Sequence, residues 1–283
     1  MKKIVILPTL LTLGNAAFGF TAIAIVIDAA FRGGPETAPT ISLEKLGLAG
    51  LLIFCAMVCD ALDGIVARLV GGTSDFGGHL DSLADIVSFG VAPALLIKTV
   101  VQYDFHLFLG VPNPALWAKL AWIITGLYCL CAILRLARFD DEKAKADDES
   151  ATATEYFDGL PTPGAAGVLV GLAMLYAYEP ALRVVLAYIM IVAVPLLGAL
   201  MVSRLPFPHF VNKVLLSRHS FKYVLVFAAT VVVVLASGVY LYALAGGFAT
   251  YALAVGPVLA FRRWISGRST RAAFTNRIKT GRN

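Results

Sequence analysis

The stretch Asp60-Ala61-Leu62-Asp63-Gly64-Ile65-Val66-Ala67-Arg68, followed after eight residues by Gly77-Gly78-His79-Leu80-Asp81-Ser82-Leu83-Ala84-Asp85, decides how this chain is read. One pair of carboxylates closes an apolar run and the other pair opens the next. An ionised carboxylate at the middle of a membrane helix costs about 2.5–3.5 kcal/mol on insertion scales. Four of them together need a compensating partner, and a divalent cation is the simplest.

Composition places that cluster in a membrane. Of 283 residues, 59% are hydrophobic and 14% charged, a balance that excludes an ordinary soluble domain. A crossing helix needs roughly 20 mostly apolar residues, and candidate segments run over 9–31, 46–70, 79–102, 114–137, 161–179, 182–203, 221–244 and 246–261. The expected fold is an all-α integral membrane protein, a polytopic bundle of about eight transmembrane helices over residues 1–261 with a basic cytoplasmic tail over 262–283. No internal repeat is visible, which argues against an inverted-repeat transporter.

Basic residues set the orientation. With a cytoplasmic N-terminus, 18 of the 23 lysines and arginines fall on the inner side, and Arg32, Lys45, Lys98, Lys119 and Arg183 fall on the outer side. Both termini are therefore expected in the cytoplasm. Met1-Lys2-Lys3 resembles the start of a secretory signal, but apolar character continues to Phe31, beyond the 7–15 residues of a signal's apolar core, so no cleavage is expected. The net charge of +5 is concentrated in the tail, from Arg262 to Arg282. Beside a membrane such a tail attracts anionic head groups or acts as a stop-transfer anchor; nucleic acid is not an expected partner. Cys55, Cys59, Cys129 and Cys131 lie inside apolar segments and read as small packing residues, with no disulfide framework.

Three inner loops are expected to carry the polar content. Val70–Gly78 joins the two acidic segments, so those helices are antiparallel neighbours with their inner ends together. His79 reads as an exposed linker residue at the end of that loop. Phe139–Gly159 holds the charge run Asp140–Glu149, read as solvated loop, and runs into Gly159-Leu160-Pro161-Thr162-Pro163-Gly164, which breaks regular helix.

Asp60 and Asp63 share one helix face, which Gly64, Ala67 and Arg68 continue, and Asp81 and Asp85 share another. The antiparallel turn lets all four carboxylates converge near the cytoplasmic surface. Hard divalent cations favour such oxygen ligands. Arg68 offers forked donors to a phosphate, while the small residues leave room for a bulky group. Buried acids paired with Arg68, or an ion path in a cation-coupled transporter, is the competing interpretation. Four acids with Asp-Gly and Ala-Arg at fixed offsets favour a two-metal phosphoryl-transfer site.

The pattern Asp-x2-Asp-Gly-x2-Ala-Arg-x8-Gly-x3-Asp-x3-Asp resembles, without departure, the signature of the CDP-alcohol phosphotransferase family. The resemblance implies transfer of a phosphatidyl-type group from a CDP-linked lipid to an alcohol, with CMP released and two divalent ions, Mg2+ or Mn2+, at a site open to the cytoplasm. Leu7–Asn15, Leu80–Ala94, Arg135–Phe139 and Gly159–Pro163 are similar to the membrane-integral branch whose acceptor is serine, and the likeness covers roughly residues 5 to 205. Its implied partners are CDP-diacylglycerol, L-serine, membrane lipids and a second copy in a homodimer, in the bacterial cytoplasmic (inner) membrane. Phosphatidylcholine or phosphatidylglycerophosphate synthesis is the alternative within the family.

Carried onto this sequence, the resemblance makes Asp60, Asp63 and Asp81 metal ligands, with Asp85 completing the site and acting as general base. It sets Gly64, Ala67, Arg68 and Gly77 against the CDP moiety. Thr12 and Asn15, near the inner end of the first segment, are candidates for bonds to the nucleotide or diphosphate, or for helix packing. Arg135 and Arg138, three apart, are candidates for the serine carboxylate or the lipid phosphate, or simply for setting topology. Ser82 and Ser88 flank the acid pair and can equally bond their own helix.

Overall fold

The computed structural model describes residues 6–30, 42–69, 75–109, 114–148, 156–203, 205–208 and 246–252. Helices α1 (Ile6–Ala30), α2 (Leu43–Leu69) and α3 (Asp75–Asp85) are followed by a π-helical turn over Ile86–Val91, then by α4 (Ala92–Leu109) and α5 (Pro114–Asp148). Strand β1 (Tyr156–Asp158), α6 (Thr162–Tyr178), a 3-10 turn over Pro180–Leu182, α7 (Arg183–Val202) and β2 (Pro206–Pro208) complete the order.

Five of these segments are long and apolar enough to cross a membrane: Ile6–Ala30, Leu43–Ala67, Phe76–Gln102, Ala118–Asp141 and Pro180–Val202. Thr162–Tyr178 is a shorter apolar helix. These match the first six expected spans. The seventh, 221–244, and the tail, 262–283, lie outside the described residues, and of the eighth only 246–252 is described, as helix. Leu10, Phe20, Ile123, Leu127, Leu130, Val185 and Val192 all point outward, the arrangement expected where hydrocarbon rather than water is the solvent.

Packing uses small and polar residues where a soluble bundle would use large ones. The buried positions of α1 are Thr12, Asn15, Gly19, Ala22, Val26 and Ala29, spaced three and four apart as one helical stripe. That stripe lies along α2, where Ala49, Ile53 and Ala56 are fully buried, and reaches α3 and the π-turn. Gly19 permits the approach, because a Cβ there would stand 2.7 Å from Ser88 Cα.

Two sequence expectations need correction. The loop ahead of Asp81 ends sooner than expected: α3 begins at Asp75, so Gly77, Gly78 and His79 are helical, with His79 exposed. The charge run after Phe139 is not a loop as far as Asp148, because α5 continues through it. Its Glu, Lys and Ala residues are good helix formers, and they extend a helix already nucleated in the bundle. The all-α class stands, with one small ribbon beside the helices: β1 and β2 pair antiparallel, with Tyr156 opposite Pro208 and Asp158 opposite Pro206. The ribbon is continued by Gly159 N–H donating to the Leu205 carbonyl (2.8 Å) and Leu160 N–H to that of Leu200 (3.1 Å). Gly159 turns with φ 91°, and a Cβ would collide with the Met201 carbonyl oxygen, so only glycine suits this corner.

The π-turn has a traceable cause. A proline cannot donate the backbone bond that the carbonyl four residues earlier would receive, and Pro93 stands four residues after Phe89. The ladder widens ahead of it, with Ala92 N–H donating to the Val87 carbonyl. The Phe89 carbonyl instead accepts from the hydroxyl of the fully buried Tyr128 on α5, at 3.0 Å. Replacing Tyr128 by Phe keeps the apolar volume and strands that carbonyl. We expect a loss of about 1–3 kcal/mol, read as a lowered thermal unfolding midpoint in detergent; an unchanged midpoint would refute this role for Tyr128.

Candidate functional site

The acidic cluster forms where α2 and α3 meet, and α1 closes over it. Asp60, Asp63 and Asp81 bring one carboxylate oxygen each to within 4.8 Å of one another. Asp60 and Asp63 occupy adjacent positions on one face of α2, and Asp81 faces them from α3. Asp85, one turn further along α3, stands beside this triad and within electrostatic reach of Asp60 and Asp81. Asp63 and Asp85 are both buried, at 6% and 8% exposure.

Two residues of α1 hold two of these acids. The Thr12 hydroxyl lies 2.8 Å from Asp63 Oδ2 and 3.0 Å from its own helix's Pro8 carbonyl oxygen. Its single proton serves one acceptor at a time, and the charged oxygen is the stronger of the two. Asn15 Nδ2 donates to Asp85 Oδ1 at 3.1 Å. The Ser88 hydroxyl donates to the Asn15 backbone carbonyl at 2.9 Å, so the π-turn after Asp85 is tied to α1 at the residue that grips Asp85.

Arg135 is the buried cation among the described residues, at 9% exposure on α5. Its Nη1 donates to Thr162 Oγ1 at 3.0 Å. The guanidinium lies over the Phe139 ring, 5.6 Å from its centroid, and acts electrostatically on Asp60 and Asp85. Arg138, one turn on, is half-buried. The Ser82 hydroxyl donates to Asp140 Oδ1 at 3.0 Å, linking α3 to the C-terminal part of α5. The side chain of Arg68 lies outside the described residues; its backbone is helical in α2. Ala67 is buried, at 4% exposure, whereas a Cβ on Gly64 would meet nothing within 4 Å among the described residues. Space therefore opens beside Asp63.

Four carboxylates against one buried guanidinium leave a cluster that low dielectric does not tolerate uncompensated. The donor set consists of hard oxygens from two helices, which suits Mg2+ or Mn2+ and offers little to soft metals. The triad can hold a divalent ion. Sequence reasoning missed Thr162 and Asp140 as partners of Arg135 and Ser82. Gly159–Gly164 was legible as a helix breaker and through its likeness to the family, and Thr162 between two prolines was the available signal.

A family model described as CDP-alcohol phosphatidyltransferase matches residues 5–198. A CDP-diacylglycerol–serine O-phosphatidyltransferase of Bacillus subtilis is 31% identical over 204 residues, 72% of this chain and 90% of the relative. One of Helicobacter pylori is 33% identical over 186 residues, 66% of this chain and 70% of the relative. One of Methanocaldococcus jannaschii is 36% identical over 166 residues, 58% of this chain; the match spans 65% of that relative, just under two thirds.

If the triad is a metal site, Asp60→Asn and Asp81→Asn each weaken Mn2+ binding by at least about tenfold, measured by isothermal titration calorimetry on protein in detergent. Asp28→Asn alters only the exposed pair with Lys45 (3.3 Å) and leaves the affinity unchanged. Equal affinities in all three variants would remove the metal from this cluster.

Proposed function

Because the chain belongs to the CDP-alcohol phosphatidyltransferase family, we propose that it transfers the phosphatidyl group of CDP-diacylglycerol to the hydroxyl of L-serine, giving phosphatidylserine and CMP. The observation that carries this reading is the convergence of Asp60, Asp63 and Asp81 with Asp85 alongside. The relatives named for the serine reaction supply the acceptor.

Asp60, Asp63, Asp81 and Asp85 hold two divalent ions, Mg2+ or Mn2+, which when bound neutralise the diphosphate and the departing CMP. Asp85 is the general base. A serine hydroxyl is a poor nucleophile at neutral pH, so a carboxylate beside it accepts the proton as the oxygen attacks the phosphorus that carries diacylglycerol. The new P–O bond forms as the bond to the CMP phosphate oxygen breaks, directly and without a phosphatidyl-enzyme. Gly64, Ala67, Arg68 and Gly77 line the path of the CDP moiety, and the open space at Gly64 supports this.

Arg135 and Arg138 face the anionic parts of the substrates, the serine carboxylate or the lipid phosphate. A guanidinium has five N–H donors, and Thr162 takes one of those of Arg135. The full arrangement we propose is a bundle of about eight spans over residues 1–261 with both termini cytoplasmic. In this reading the protein is a homodimer in a bacterial cytoplasmic membrane, with the site facing inward; the inner-side excess of basic residues supports the orientation.

The test is CMP release from CDP-diacylglycerol by purified protein, with L-serine, glycerol 3-phosphate, inositol and choline offered in turn. We expect release with serine only, abolished by EDTA, restored by Mn2+ or Mg2+, and lowered at least about 10³-fold in Asp85→Asn. Release with a different acceptor would keep the family and replace the substrate. No release with any acceptor from folded protein, together with ion-coupled flux in liposomes, would replace the enzyme reading by a transporter.

A further inference from the structure

Asn15 is fully buried, with 0% exposure, and both of its polar ends are informative. The side-chain nitrogen donates to Asp85 Oδ1 at 3.1 Å. An ionised carboxylate only accepts, so the amide must present its N–H to it. The oxygen at the other end, Asn15 Oδ1, is buried and has no hydrogen-bond partner among the described residues. A buried orphan acceptor is unfavourable, so this asparagine is turned to suit Asp85 and not its own bonding. Its main chain is fixed as well: Ser88, three residues beyond Asp85 on the π-turn, donates to the Asn15 carbonyl at 2.9 Å. At Gly19, one turn along α1, the two backbones are in direct approach. Asn15 and the carboxylate it grips thus belong to one clamped unit made of α1 and the π-turn.

We infer that Asn15 is the positioning residue for Asp85, occupying one carboxylate oxygen so that the other is turned toward the triad and the serine hydroxyl. This rests on the proposed role of Asp85 as base and replaces the sequence expectation that Asn15 touches the nucleotide, since a side chain with no exposed surface acts through the residue it holds. Asp85 is the last residue of α3, directly ahead of the π-turn that Ser88 ties to α1. The hydroxyl proton passes to Asp85 Oδ2, while Oδ1 stays engaged by the amide throughout.

The experiment compares kcat and KM for serine and for CDP-diacylglycerol in the wild type, Asn15→Ala, Asn15→Asp, Asn15→Gln and Asp85→Asn, by CMP release in detergent with Mn2+. A positioning role predicts that Asn15→Ala lowers kcat roughly 10- to 100-fold with both KM values within about twofold. Asn15→Gln, which keeps an amide donor on a longer arm, recovers part of the loss. Should Asn15→Ala fail to fold, the isosteric Asn15→Asp carries the same test, and its kcat must fall at unchanged KM. Wild-type kcat in the folded Ala or Asp variant overturns the inference, as does a loss that appears mainly as a raised KM for CDP-diacylglycerol, which would return Asn15 to the nucleotide. Activity retained in Asp85→Asn would overturn the general-base reading itself, whereas inactive Asp85→Asn beside active Asn15→Ala would overturn only the inference.

Discussion

Mutual repulsion among four carboxylates held in a low-dielectric bundle is the constraint on which the rest of this structure depends. Asp60, Asp63 and Asp81 present oxygens within 4.8 Å of one another, with Asp85 beside them, a geometry that unaided side chains would avoid. The surrounding helices hold it in place: the acids of α2 and α3 face one another, α1 packs against both helices, and Arg135 supplies a cation from α5. The polar partners of the acids come from elements far away in sequence. Thr12 reaches Asp63 across 51 positions and Asn15 reaches Asp85 across 70.

That dependence explains the unusual interior of the bundle. Hydrocarbon gives apolar side chains no reason to hide from it, so helices associate through close backbone approach and polar bonds. Gly19 against Ser88, Asn15 against Asp85 and Tyr128 against the Phe89 carbonyl are instances of both. Many large apolar residues, Phe20, Ile123 and Val192 among them, face outward to lipid. Where α1 meets the π-turn the packing is thus built from small residues and hydrogen bonds, and Asp85 lies within that region.

How much of this was legible in the sequence depends on the range of the interaction responsible. Spans declare themselves by length and hydropathy, which are local, and the six segments up to residue 203 each coincide with helix, although α5 runs eleven residues past the expected end at 137. The acidic cluster declares itself by spacing, because three- and four-residue offsets place carboxylates on one face whatever else the chain does. Features set by tertiary contact stayed hidden. The π-turn arises from Pro93 together with a distant Tyr128, neither of which marks a register change when read alone. Gly77 and Gly78 disfavour helix by propensity, yet the bundle imposes it from Asp75 onward. The ribbon joins two triplets nearly fifty residues apart, beyond what local pattern can pair, and the partners of Thr12, Asn15 and Arg135 required the fold.

The small ribbon orders the events by which the site is completed. Thr162, to which Arg135 donates, begins α6 directly after a corner whose backbone is tied to Leu200 and Leu205 at the far end of α7. β1 precedes α6 and β2 follows α7, so the ribbon draws together the two ends of a helical hairpin. During synthesis the acids and Arg135 emerge before Leu200 and Leu205, whose carbonyls fix the corner ahead of Thr162. The buried ionic centre thus takes its last fixed point from chain made after α7.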